Sequence, residues 1–63
     1  MNEKMKIYHP CFLTVEKGLY GYYICLYDQD GPLGRVEDFD YDTYDAAKWQ
    51  AERLAVEERL SFI

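Results

Sequence analysis

One stretch of this chain is long and periodic enough to dictate its own structure: Thr43 to Leu60, TYDAAKWQAERLAVEERL. Good helix formers fill it, and neither glycine nor proline interrupts it, so the spacing predicts an amphipathic helix over 43–60. Asp42 or Thr43 offers a short side-chain oxygen to an otherwise orphaned first-turn N–H, and Asp45 falls where the helix dipole favours an acid. At about 100° per residue, Tyr44, Ala47, Ala51, Leu54 and Ala55 lie on one side. Trp49, Val56, Leu60 and Ile63 lie roughly opposite, as a second and bulkier stripe. One helix cannot bury both stripes against one small sheet. Either the bulky stripe faces the sheet and the alanines are solvated, or the alanines pack and the bulky stripe is left for another subunit or a partner protein. The flanking charges, including Arg53 and Glu57 at i,i+4, read as a solvated helix face.

The residues before this helix read as short aromatic strands. Ile7 to Val15 is strand-like, with Ile7, His9, Cys11, Leu13 and Val15 on one face, and Pro10 makes it an edge strand or delays its start. Glu16-Lys17-Gly18 reads as a turn. Closing that hairpin with Glu16 opposite Tyr20 would set Cys11 opposite Cys25. Leu19 to Tyr27 is nearly continuously apolar, as a central strand would be, with Tyr20, Tyr22, Ile24 and Leu26 on one face and Leu19, Tyr23, Cys25 and Tyr27 on the other. Asp28 to Gly34, built on Asp-Gly and Gly-Pro, reads as a loop, and Arg35 to Tyr41 as a third, acidic edge strand. The expected fold class is therefore α+β: a single domain over 1–63, with a polar lead-in at 1–6, a three-stranded antiparallel sheet over 7–41, and the C-terminal helix packed across it (β-β-β-α). A helix covers one sheet face, so Tyr23 and Tyr27 on the other are expected at the surface.

The junction between third strand and helix, FDYDTYDAAKWQAERL, resembles that of the arm-type, AP2-like domains at the N-termini of phage integrases. The resemblance implies three strands followed by a helix over most of the chain. Those domains bind DNA with basic residues on the sheet, whereas this third strand carries Glu37, Asp38 and Asp40. The shared outline thus implies the shape without the DNA-binding role.

Charge supports that separation. Of the net −5, residues 28–42 carry −5, while 1–27 carry +1 and 43–63 carry −1. Such a surface disfavours direct contact with nucleic acid or an anionic membrane, both of which need Lys and Arg to meet phosphates. No run approaches a membrane span, and MNEKMKIYHP lacks a signal-peptide apolar core, so a cytoplasmic location is expected. A chain of 63 residues buries only about 60% of its unfolded surface, so a homo-oligomer, most simply a dimer, or a bound protein partner is expected to supplement the core.

Candidate chemistry is sparse. His9, Cys11 and Cys25 could offer zinc three soft ligands, but no fourth is apparent, and strand cysteines are usually small buried hydrophobes. A Cys–His nucleophile would need an oxyanion donor and an orienting group that the sequence does not supply. Asp38, Asp40 and Asp42 open like an EF-hand loop, yet Thr43 stands at the glycine position and Trp49 at the bidentate acid. Neither an enzyme nor a metal or cofactor site is expected. In an extended strand Asp38, Asp40 and Asp42 would project to one side about 6.6 Å apart, with Asp28, Asp30 and Glu37 nearby. That spacing resembles successive phosphates of a nucleic-acid strand, while the plainer reading is that these acids keep a small domain soluble and protect an edge strand.

The expected function is a small acidic protein-interaction module, of the kind a phage or mobile element carries to modulate a host or defence factor, gripping its partner through Tyr23, Tyr27, Trp49, Val56 and Leu60. The alternatives are an acidic nucleic-acid mimic that occupies the basic site of a DNA- or RNA-binding enzyme, and a structural homo-oligomer without separate activity.

Overall fold

The computed structural model describes residues 11–63. The lead-in at 1–6, the start of the expected first strand and His9 lie outside the described residues. Within them β1 (Phe12–Lys17), β2 (Tyr22–Asp28) and β3 (Gly31–Arg35) precede helix α1 (Tyr44–Glu58), and a short β4 (Ser61–Phe62) follows it. The sheet order is β3-β2-β1-β4. β1–β2 and β2–β3 pair antiparallel, whereas β4 lies parallel to β1. The fold is α+β as expected from the sequence, but the sheet is mixed and four-stranded.

The β1–β2 register is displaced by three residues from the one the Glu-Lys-Gly turn suggested. Glu16 faces Tyr23, Thr14 faces Cys25, and Leu13 and Val15 face Leu26 and Ile24. Cys11 and Cys25 are therefore not cross-strand neighbours. An odd shift moves a whole strand to the other face, and here it gathers Leu13, Val15, Ile24 and Leu26 beneath the helix. The cause is the turn. Gly18 N–H donates to the Gly21 carbonyl at 2.7 Å, so Leu19 and Tyr20 belong to the hairpin tip, not to the strand.

The helix begins at Thr43, whose Oγ1 accepts from the Ala46 N–H at 3.1 Å while its backbone stays extended. It lays its alanine side on the sheet. Ala47, Ala51 and Ala55 are buried, and Ala51 and Ala55 join Leu13 and Ile24 in the core, with Val15, Leu26, Leu54, Leu60 and Phe62 packed around them. Small side chains let the helix axis approach the pleat closely, so the large ones of the core come mainly from the strands. The helix stops at Glu58, not Leu60. Arg59 takes the left-handed conformation (φ 59°), and Leu60 N–H returns to the Ala55 carbonyl at 2.8 Å. That 6→1 bond is the signature of a Schellman cap. It turns Leu60 back into the core and aims Ser61–Phe62 along β1, where Ile63 N–H reaches the Leu13 carbonyl at 2.9 Å.

The expected third strand is misplaced in sequence. Pairing with β2 falls on Gly31–Arg35, with an irregularity between Leu26 and Tyr27, and residues 36–39 bend away. Val36 N–H still donates to the Ile24 carbonyl at 2.9 Å. The acidic segment returns to the sheet through Asp40, which pairs with Arg35, and through Tyr41, in an antiparallel bridge to Tyr22.

Candidate interaction surfaces

The packing of α1 on its alanines decides where the bulky stripe goes. Trp49 is 60% exposed and Val56 79% exposed, and they stand on the crest of the helix with the Arg53 guanidinium 5.0 Å from the Trp49 ring centroid. Between them lies an open depression of about 370 Å³ flanked by Glu52, Arg53 and Glu57. Arg53 and Glu57 approach to 3.8 Å, an exposed pair that contributes little to stability. Leu60 does not belong to this crest, because the cap carries it into the core.

Tyr23 and Tyr27 lie on the opposite side of the molecule, on the sheet face that α1 leaves uncovered. Alternation along β2 puts Tyr23, Cys25 and Tyr27 there, and the register adds Phe12, Thr14, Glu16 and Arg35. Phe12 and Tyr27 stack with ring centroids 5.2 Å apart and planes 8° from parallel. Glu16 accepts from Thr14 Oγ1 at 2.6 Å and from the Tyr27 hydroxyl at 3.2 Å. Burial, with that carboxylate behind it, raises the Tyr27 phenol above its ordinary pKa. The Arg35 guanidinium covers Tyr23 at 4.3 Å and pairs with Asp40 at 2.9 Å. Each aromatic ring is thereby held by a neighbour, and the Cys25 thiol is buried among them. The five residues expected to grip one partner fall in three places: the helix crest, the uncovered sheet face, and, for Leu60, the core.

The acidic residues do not form a straight row. Asp38, Asp40 and Asp42 occupy a bent segment, so the spacing of an extended strand does not apply. Asp40 is neutralised by Arg35, and Glu37 accepts from the Tyr41 hydroxyl at 2.7 Å. Burial first, and then that hydrogen bond, push the Tyr41 phenol up to about 12. Asp28 is occupied in a local turn, accepting from the Asp30 N–H at 2.7 Å. Asp38 and Asp42 remain exposed.

Two features were invisible to strand and helix periodicity. Leu19 and Tyr20, taken as strand, stand 93% and 85% exposed at the tip of the β1–β2 hairpin. At the other end of that hairpin, between sheet and helix, is an apolar cavity of about 350 Å³ whose walls include Leu13, Leu26, Val36, Leu54 and Leu60, with Cys11 and Glu58 beside them. The glycines bracketing Leu19-Tyr20 were a signal for the tip; nothing in the sequence marked the cavity.

Among the described residues no three His, Cys, Asp or Glu side chains come together in a way that could hold a metal ion, and no helix is long and apolar enough to cross a membrane. His9 lies outside them. Comparison of the chain with family models, with curated proteins and with solved structures finds no match in any of the three.

Proposed function

We propose that this protein is a small acidic protein-interaction module, of the type a phage or mobile element uses to modulate a host factor, and that it binds its protein partner through the crest of α1. One observation carries the reading: the helix spends its alanines on the core and leaves Trp49 and Val56 outside it. Among the described residues the Trp49 ring carries the Arg53 guanidinium beside it and is otherwise largely exposed. Tryptophan and arginine are the side chains that most often dominate binding energy in protein interfaces, where charged neighbours form the rim. Glu52, Arg53 and Glu57 supply such a rim around the Trp49–Val56 depression. The uncovered sheet face is a weaker candidate, because its aromatics are already engaged with Glu16, Arg35 and one another.

The test is capture of partner from an extract of the cells in which the chain acts, using immobilised wild type beside Trp49→Ala and Val56→Asp. Both positions are exposed, so circular dichroism of the variants should match wild type. A bound protein retained by wild type and lost by both variants supports the reading. Equal capture by all three removes the crest from it.

A further inference from the structure

The hairpin tip and the apolar cavity sit at opposite ends of one β-hairpin. The tip is not a loose loop. Gly18 and Gly21 close it by a backbone hydrogen bond, the adjoining Tyr22 is fixed to Tyr41 by two more, and Lys17 at its base is held over the Tyr22 ring at 5.0 Å. What this anchored tip presents is Leu19 and Tyr20, the two most exposed large apolar side chains among the described residues. The register places Leu13 and Leu26, which line the cavity, at the far end of the same strands.

We propose that the Leu19-Tyr20 tip of one copy seats in the Leu13/Leu26/Val36/Leu54/Leu60 cavity of a second copy, so that the chains associate head to tail. Shape and polarity agree: an apolar projection meets an apolar recess. Charges beside the two are complementary: Lys17 flanks the tip and exposed Glu58 flanks the cavity, while Asp40, the carboxylate beside Gly18, is already paired with Arg35. An acidic partner surface or an anionic membrane offers the tip no such recess, and the net charge of −5 opposes the latter. A projection and a recess on different parts of one surface form a heterologous contact, which leaves a free tip and a free cavity on every singly joined pair and so adds further copies until the assembly closes as a ring or runs on as a filament. This goes beyond the helix-crest reading and uses none of its residues.

The experiment is sedimentation equilibrium of the 63-residue chain from micromolar to millimolar concentration. Wild type is expected to rise in mean mass past that of a dimer. The tip variant Leu19→Ser/Tyr20→Ser and the cavity-filling variant Val36→Trp are each expected to weaken self-association by about 30-fold, the loss typical of a binding hot spot. An equimolar mixture of the two should form capped one-to-one pairs, since one brings an intact cavity and the other an intact tip. Should Val36→Trp disturb the fold, Glu58→Lys probes the same contact from an exposed position, and Lys17→Glu in the same chain should restore association. Trp49→Ala should leave the mass distribution unchanged, which separates this contact from the crest. A wild type that stays monomeric throughout, as it would if another segment of the same chain filled the cavity, overturns the proposal. So does a tip variant that associates as wild type does.

Discussion

Tyr22 and Tyr41 hold each other through both backbone groups: Tyr22 N–H donates to the Tyr41 carbonyl at 2.9 Å, and Tyr41 N–H donates to the Tyr22 carbonyl at 2.7 Å. This one reciprocal pair is what ties the bent acidic segment to the sheet immediately before the helix starts. Tyr22 continues the connection with an edge-on contact to Tyr44, ring centroids 6.0 Å apart, in the first turn of α1. The entry angle of the helix thus depends on a bridge between residues far apart in the chain.

Gly21, beside that bridge, should be intolerant of any side chain. It adopts φ 142°, and a Cβ there would run into the Tyr41 carbonyl oxygen. Gly21→Ala combines backbone strain with a clash against backbone that cannot step aside, and is expected to cost at least about 2 kcal/mol. Gly31→Ala is the matched control, because its φ is also positive, 127°, but its Cβ would meet open space. Denaturant midpoints of the two variants check the difference, and equal losses would remove the Tyr41 clash from the explanation.

Tyr41 should titrate late. Its phenol sits at about 12 in the folded protein against an ordinary value of 10.0. The neutral phenol is the form the fold favours, so its contribution to stability is complete below pH 10 and is lost as pH rises toward 12. Tyr27 adds in the same direction. A difference titration of phenol absorbance, wild type minus Tyr41→Phe, is expected to centre near 12, and the variant should lose less stability across that window. A difference centred at 10 would mean that neither burial nor Glu37 acts on this ring.

The two sides of α1 should answer substitution in opposite ways. Ala51 is fully buried against Leu13 and Ile24, and Ala51→Leu would prise the helix from the sheet, at a cost of about 1–3 kcal/mol or more. Trp49→Ala removes a far larger side chain, yet stability should move by no more than about 0.5 kcal/mol, as at other exposed sites. Thermal melts of the pair would expose a wrong assignment of the packed face by reversing that order.

Arg59 marks a position where the chain accepts local strain. A non-glycine residue in the left-handed region is disfavoured by about 1 kcal/mol, and the side chain of Arg59 is exposed. Arg59→Gly is expected to keep the Leu60 N–H to Ala55 carbonyl bond and to gain about 0.5–1 kcal/mol. A loss of stability in urea would show that the arginine itself supports the cap.

The helix was legible because its information is local: Thr43 caps it, and the alanine spacing draws a continuous stripe. The choice between stripes was not legible, since it depends on how deep a groove the sheet offers. β3 was missed for the opposite reason. Gly-Pro-Leu-Gly has the composition of a turn, and only pairing with β2 makes it a strand, a tertiary effect that overrides propensity. The continuous apolar run from Leu19 concealed where the hairpin closes, and the three-residue register error followed from that. β4 has two residues and no pattern at all. Its existence depends on the Arg59 turn returning the chain to β1. Of the candidate surface, Trp49 and Val56 were readable from helical phase, whereas the Arg35 clasp on Tyr23 and Asp40 and the recess beneath Leu54 required three-dimensional placement.

The parallel pairing of β4 with β1 also sets an order in time. β1 and β2 are neighbours in sequence and can zip up as soon as both exist, whereas β4, the strand that pairs with the outer edge of β1 among the described residues, reaches it once α1 has formed, capped and turned back. Loop-closure entropy makes such a distant pairing late. That margin of β1 is therefore covered by β4 after the β1–β2 hairpin has closed, and the Arg59 turn that returns Ser61–Phe62 to β1 decides how long the interval lasts.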